Sequence, residues 1–362
     1  MAQFPLAFAL AFRYTDQTMK VREVRFSHIR GFGEALRRVT FFDPDTDQVR
    51  PLSVLVGSNG CGKTTVLQLI ESSIGLLGLG ASERRTQSLV SSGYAAVQWE
   101  PEFLDTPAGL LPRFWFSIAR EDLVPSTQGD LANHVWFRSR RADGGQYWGG
   151  AANAYRDWLL GRYQTAHQPI GGLLYFPHDR WFEQPEQGGI SEPAMRKEWL
   201  FHFRPHSQWQ GSLAQLWVWQ NYLDLEAGRE GRPNLLPFVE LIEEILGRGR
   251  RVVIHKARVH VQDGDRRVEL HELPSGEQQI LALFGEIIRQ IRPGAVILID
   301  EIEISLHPAL QRAVLAHLRN LARKYDLQII VTTHSMDIVH SVSPREIVNM
   351  DDMIQTEQSH GA

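Results

Sequence analysis

Residues 57–65 read Gly57-Ser58-Asn59-Gly60-Cys61-Gly62-Lys63-Thr64-Thr65, a GxxxxGK[ST] spacing. The loop follows a short apolar run, Leu52–Val56, and opens a helical pattern from Lys63 to Leu77 that stops at Gly78 and Gly80. No other feature constrains the fold as much, because this loop needs a strand before it and a helix after it. Its glycines let backbone N–H groups turn inward around phosphate oxygens, which a Cβ would obstruct. The start of the following helix adds partial positive charge. Lys63 is placed to reach the β- and γ-phosphates of a nucleotide, and the Thr64 hydroxyl to ligate Mg2+. Cys61, the single cysteine, lies inside the loop as a small filler or as a reactive thiol.

A second signal lies far along the chain. Ala295–Ile299 is a five-residue apolar run that ends in Asp300-Glu301. Such a run is a strand buried on both faces, and its C-terminal end opens on a ligand crevice. Asp300 is placed to hold Mg2+, and Glu301 to accept a proton from an attacking water. Residues 327–332 form another buried strand leading to Thr333-His334-Ser335, so His334 faces the same crevice and is read as a γ-phosphate contact.

The rest of the chain reads as alternating structure. VREVRFSHI (21–29) alternates, with Val24, Phe26 and His28 on one side and Arg25 and Ser27 on the other. LRRVTFF and a polar loop, DPDTDQ, follow. The stretch 250–270 predicts a hairpin: the run VVIHKARVHV as one strand, Asp263-Gly264-Asp265 as turn, then RRVEL. Helices are predicted over 275–291 and 308–324. This order implies a parallel sheet with helices on its faces. All ten tryptophans lie between Trp99 and Trp219, as core and lid packing or, for one or two, as platforms for base stacking.

Composition limits the class. Hydrophobic residues are 43% and charged residues 22%, enough for a sizeable core. Lys+Arg 38 against Asp+Glu 42 gives −4, so the whole molecule is not a polybasic nucleic-acid binder. One cysteine excludes a disulfide framework and a cysteine-rich zinc site. No apolar run reaches the ~18 residues of a membrane span, and the opening FPLAFALAF does not fit a secretory signal. A cytoplasmic setting is expected.

On these residues the chain resembles ABC-type ATPase heads of the RecF, SMC and OLD kind, the ATP-binding proteins of bacterial DNA repair and phage defence. The resemblance covers roughly 20–80 and 250–350. It rests on His28-Ile29-Arg30-Gly31-Phe32, the phosphate loop, Leu273-Pro-Ser-Gly-Glu-Gln-Gln279, the Asp300-Glu301 strand continuing to Ser305-Leu-His-Pro308, and Thr333-His334-Ser335. Leu273–Gln279 is similar to the signature motif of that class, with Pro274 where serine is usual. Ser275 is read as a cap, with Gln278 completing a capping box.

The resemblance implies the fold: an α/β P-loop NTPase, an ABC-type ATPase head with an inserted helical, Trp-rich lid. Its parts are an extension over 1–18, an ATPase lobe over 19–80 and 251–350, a lid over 81–250 and a tail over 351–362. It implies ATP and Mg2+ as ligands. It further implies a homodimer closed by ATP, in which Ser275, Gly276 and Glu277 of one copy meet the γ-phosphate held by the other. Arg30 and Phe32 are placed near the base side of the nucleotide. A glutamine loop falls in the middle region, with Gln98 among its candidates. Phe176-Pro-His-Asp-Arg180 matches a recurrent segment, with Arg180 approaching the site. His307 falls near the dimer face, or serves the core or surface.

Several classes of output stay open. Lys63 and Ser275 are 212 residues apart, about twice the usual gap in transporter nucleotide-binding domains. No long heptad run fills the interval, so the coiled coil of SMC heads is not expected. The 28 residues after His334 leave no room for the nuclease domain of OLD proteins, so cutting would fall to a partner nuclease or toxin. The basic run Arg248, Arg250, Arg251, Lys256, Arg258 fits either a solvated edge strand or a DNA contact. A slow-turnover assembly module and a transporter ATPase subunit are the rival functions.

Overall fold

The computed structural model describes residues 17–75, 93–103, 113–119, 134–138, 147–149, 172–181, 185, 189–193, 200–205, 208–247 and 249–352. The elements are β1 (Gln17–Ser27), β2 (Arg37–Thr40), β3 (Leu52–Val56), α1 (Lys63–Gly75), β4 (Tyr94–Phe103), β5 (Phe114–Ala119), β6 (His134–Arg138), β7 (Tyr147–Gly149), β8 (Leu173–Phe176), β9 (Leu200–His202), α2 (Leu213–Glu226), α3 (Leu236–Leu246), β10 (Arg251–His255), β11 (Arg258–Asp263), β12 (Arg266–Glu269), α4 (Ser275–Gln290), β13 (Val296–Ile299), α5 (Pro308–Tyr325), β14 (Gln328–Thr332), α6 (Met336–His340) and β15 (Ile347–Asn349).

Six strands make a wholly parallel sheet in the order β15-β3-β14-β13-β8-β9. A parallel sheet is covered on both faces, so its strands read as unbroken apolar runs. β8, β13 and β14 are buried at every position. Alternate residues then serve two cores. Val54, Phe176, Ile297, Ile299, Ile329 and Val331 pack with α2, α3, α4 and α5. Leu55, Tyr175, Val296, Leu298 and Ile330 pack with α1 and a second sheet. That sheet runs β2-β1-β4-β5-β6-β7 and is antiparallel except between β5 and β6. Helix α1 packs against β1 and β4 on one side and β9 and β14 on the other.

One side chain stitches the two sheets together. Gln328, fully buried on β14, accepts a hydrogen bond from Val21 N–H and donates one to Val21 C=O, each 2.7 Å. It thus imitates the edge of a strand. β1 carries a register shift between Val21 and Glu23 opposite β4, which breaks the simple alternation of the sequence. The shift brings Arg22 and Glu23 inward, both 2% exposed. Arg22 pairs with Asp47 and Glu100, and Glu23 with Arg38 at 2.7 Å, so neither buried charge is left alone.

Three expectations are revised. The described part of 81–250 is built into the two sheets rather than set over them as a lid. β4–β7 extend the sheet begun by β1 and β2, β8 and β9 extend the parallel sheet, and α2 and α3 fill the larger core. The reason lies in the sequence of β8, Leu-Leu-Tyr-Phe, which is apolar on both faces and needs cover on both. Trp99, Trp115 and Trp217 are core residues. Second, Gln17 and Thr18 belong to β1 rather than to an extension, paired with Phe103 and Glu102; residues 1–16 lie outside the described residues. Third, the run 252–261 is not one strand. It turns at Lys256-Ala257, φ +49° and +56°, giving a three-stranded meander of β10, β11 and β12. Positive φ at both central residues is what a two-residue hairpin needs.

The same turn breaks up the basic face expected there. Lys256 sits in the turn, Arg250 pairs with Glu277 at 2.5 Å and Asp263 at 3.0 Å, and Arg258 pairs with Glu269 at 3.1 Å. Among the described residues, no helix is long and apolar enough to cross a membrane.

Gln328→Met keeps the volume but leaves the N–H and C=O of Val21 buried without a partner. Chemical denaturation is expected to show a loss of about 2–6 kcal/mol, from two unsatisfied groups at ~1–3 kcal/mol each.

Candidate functional site

The phosphate-type loop lies between β3 and α1, as its spacing demands. Gly62 has φ +104°, and a Cβ there would come within 2.8 Å of the Phe32 ring. Phe32 in turn sits edge-on to Phe26 and carries the Arg37 guanidinium over its face. Lys63 is 6% exposed, and its ammonium donates to Gly57 O at 2.9 Å and Ser58 O at 3.1 Å, inside the curl of the loop. Cys61 is buried 3.7 Å from that ammonium, a packed filler rather than an accessible thiol. A tie that the sequence did not signal closes the loop from outside. The N–H and hydroxyl of Ser58 donate to Asp351, both at 2.8 Å. The two bonds and nearby Lys63 hold the Asp351 carboxyl below its usual range. Asp351, the first residue of the tail expected over 351–362, is instead part of the loop's support.

The acidic pair lies at the C-terminal end of β13. Asp300 is fully buried. Its carboxylate meets the Thr64 hydroxyl at 3.0 Å and accepts from the Thr332 hydroxyl at 2.6 Å. His178 Nδ1 lies 3.6 Å from the same carboxylate. Glu301 takes a left-handed backbone, φ +45°, and its N–H donates to the Thr332 hydroxyl at 2.8 Å. Thr332 therefore serves both acids at once. Arg180 supports them from behind: it is 3% exposed and donates to Pro177 O at 2.7 Å, Asp300 O at 2.6 Å and Glu301 O at 3.1 Å. Burial pushes its guanidinium down to about 10, against the pull of Asp300 and its neighbours, so it stays charged at neutral pH. Thr64 and Asp300 offer one hydroxyl and one carboxylate, hard oxygen donors that fit Mg2+ bound jointly with substrate phosphates.

The remaining candidates fall around this centre. Arg30 Nη1 approaches Thr65 Oγ1 at 3.4 Å, so both Arg30 and Phe32 stand at the loop. The loop after β14 is tied to the loop after β13, since His334 N–H donates to Glu303 and Ser335 Oγ donates to Gln311, which donates to Leu306 O. The His334 ring is exposed. His307 accepts from Ala309 N–H at 3.3 Å as the cap of α5. Gln98 is a mid-strand residue of β4, opposite Glu23 and Trp115, and not a loop residue.

The start of α4 corrects one expectation. Its cap is Pro274, with no side-chain cap bond, and Ser275 is the first helical residue. Gln278 does not complete a capping box; its amide donates to His271 O and Leu273 O. Proline suits this place because it presets the backbone and has no N–H to leave unpaired. Ser275 is exposed and Glu277 pairs with Arg250. Gly276 is needed for close approach, since a Cβ would lie 2.5 Å from Ser305 O. Farther along the helix, Gln279 donates to Arg180 O.

Residues 197–339 match a family model described as "AAA domain, putative AbiEii toxin, Type IV TA system". The loop, the acidic pair, a wholly parallel sheet and that match over part of the chain agree on one fold. The fold is that of an ABC-type P-loop ATPase head. Among curated proteins, the one named Retron Ec83 probable ATPase, from Escherichia coli, is 34% identical over 87 residues, 21% of this chain and 16% of that protein. The spermidine/putrescine import ATP-binding protein PotA of Marinobacter nauticus is 30% identical over 99 residues, 27% and 26% of the two chains. The matches thus span about a sixth and a quarter of these relatives' lengths. Solved structures similar to the head include an SMC head bound to the C-winged helix domain of ScpA, at 13% identity and TM-score 0.49, covering 91% of this chain and 96% of that one. Another is the SMC head domain from Thermotoga maritima, at 14% identity and TM-score 0.44, covering 90% and 92%.

Sequence reasoning missed Thr332 and the full reach of Arg180. A threonine at the end of a buried strand, next to a motif already singled out, was the available signal. Thr332→Val removes the hydroxyl without changing shape. The head should lose about 2–4 kcal/mol in denaturant unfolding, because a buried carboxylate and the Glu301 N–H each lose a partner.

Proposed function

We propose that the chain binds ATP with Mg2+ and hydrolyses it to ADP and phosphate, and that ATP joins two copies of the head. The observation that carries this reading is the 3.0 Å contact between Thr64 and Asp300, residues 236 apart in sequence. It unites the loop that can hold a triphosphate with the acid that can share its cation.

Each part has a role in that reaction. The amides of 57–65 cradle the phosphates, and Lys63 leaves the carbonyls of Gly57 and Ser58 for the β- and γ-phosphate oxygens. Thr64 and Asp300 would hold Mg2+, which would supply positive charge beside the phosphates. Glu301 takes a proton from the water whose oxygen attacks the γ-phosphorus, and the bond to the β-phosphate oxygen breaks. His334 meets the γ-phosphate, and Arg30 and Phe32 stand on the base side. Ser275, Gly276 and Glu277 present the first turn of α4 to the triphosphate held by the other copy, using its N–H groups as an anion site. ATP thereby favours the joined state by binding it more tightly than the separate one.

The wider role proposed is DNA-linked, in repair or in defence against phage, with the ATPase state governing a nuclease or toxin partner in the cytoplasm. The toxin–antitoxin wording of the matched family and the retron protein among the relatives support it. The import ATP-binding protein among the relatives favours a second reading, a transporter energy unit. Co-purification with a membrane protein would support that alternative.

Glu301→Gln should cut steady-state turnover by about 10²–10⁴-fold, the usual share of a general base. Size-exclusion chromatography with ATP and Mg2+ should then show a stable pair of copies. A variant that stays single under these conditions rejects the mechanism. Lys63→Ala should abolish nucleotide binding measured by calorimetry, and chelating Mg2+ should stop turnover in the unaltered protein.

A further inference from the structure

The backbone of Glu301 is held in a conformation it would not choose. With φ +45° it lies in the left-handed region, where a residue with a Cβ remains only if its surroundings over-determine it. Two peptide planes flank its Cα, one ending in Asp300 C=O and the other in Glu301 C=O. Arg180 grips both carbonyls, at 2.6 and 3.1 Å, from different nitrogens of one guanidinium. The N–H groups of the same two planes are held by Thr332: Glu301 N–H donates to its hydroxyl and Ile302 N–H to its carbonyl at 3.1 Å. The direction in which the Glu301 side chain leaves the backbone is thus set by one buried fork and one threonine.

The fork has a handle. Gln279 of α4 donates to the carbonyl of Arg180 itself. Gln279 is one helical turn beyond Ser275, and Gly276 between them lies against Ser305 O on the loop that follows Glu301. A displacement of the start of α4 is therefore passed to the acidic pair along two routes, one through Arg180 and one through Ser305.

We propose that Arg180 is a positioning residue that sets the alignment of Glu301, and that Gln279 makes this clamp answer to the docking of a second copy at α4. The inference rests on the roles given above to Glu301 and to α4. Its content is that pairing does more than trap the nucleotide: it adjusts the carboxylate of the same head through Gln279 and Arg180. A lysine cannot replace the fork, because a single ammonium lacks the fixed, planar pair of N–H directions.

The test uses Arg180→Gln, Arg180→Lys and Gln279→Glu in the full chain, with ATP affinity, pairing and turnover each measured. Arg180→Gln should lower kcat by about 100-fold, the scale of a 1 Å misplacement, with ATP affinity and pairing retained. Arg180→Lys should fall between it and the unaltered head. Gln279→Glu keeps shape and leaves the guanidinium in place, but sets an oxygen against Arg180 O. It should still pair with ATP, yet lose the rise in turnover per head that is expected of the unaltered protein as its concentration is raised.

Turnover within about twofold of the unaltered head in both Arg180 variants would overturn the clamp, as would ATP affinity falling in step with turnover. Should Arg180→Gln fail to fold, Gln279→Glu decides: an unchanged rise with concentration sinks the coupling. An unaltered protein with no turnover, and a Glu301→Gln protein that stays single, would instead bring down the parent reading. Normal behaviour of those two proteins confines any failure to the clamp.

Discussion

A carboxylate with no access to water must be satisfied by the protein around it, and Asp300 is such a group. Its partners arrive from separate places: Thr64 from the start of α1 and Thr332 from the end of β14, with Arg180 from the turn after β8 holding its carbonyl. Those three can meet only where neighbouring parallel strands end side by side. The order β3-β14-β13-β8 supplies that arrangement, so the sheet and the site are one construction. Breaking a single contact exposes the cost of the burial rather than one hydrogen bond's worth.

The site is also stiff where chemistry would need it to be. Glu301 is left-handed, Gly62 leaves no space beneath the Phe32 ring, and Gly276 leaves none against Ser305. Each is a place where packing has removed freedom. Lys63 is the contrast, since it rests on carbonyls of its own loop and has another partner to go to when an anion arrives. A rigid frame around one movable cation suits charge stabilisation by preorganised groups.

Much of this was legible in the sequence, and the reasons differ by element. The phosphate loop was legible because its chemistry dictates both residue types and spacing. β13 and β14 were legible because burial on both faces forces an unbroken apolar run. β8 obeys the same rule over only four residues, within a stretch dominated by tryptophans, and was read as part of a lid. The Lys256-Ala257 turn was hidden because neither residue is glycine, asparagine or aspartate, the usual marks of positive φ. The bonds made by Gln328, Arg180 and Gln279 were not legible, although Arg180 and Gln279 lie in segments already singled out: each acts on backbone atoms distant in sequence, and a side-chain-to-backbone bond leaves no periodic trace. The cap on α4 was misread because serine is the commoner cap, whereas here Pro274 takes that place and its carbonyl accepts from Glu277 N–H.

The tie between Ser58 and Asp351 crosses 293 residues. A chain made from its N-terminus presents the loop early, when β14, β15 and Asp351 do not yet exist. β3 is paired on both sides by strands synthesised last. The loop can therefore reach its finished shape only after nearly the whole described chain has left the ribosome. On the function proposed above, half-made chains would lack the finished loop that holding a nucleotide and joining a second copy both require.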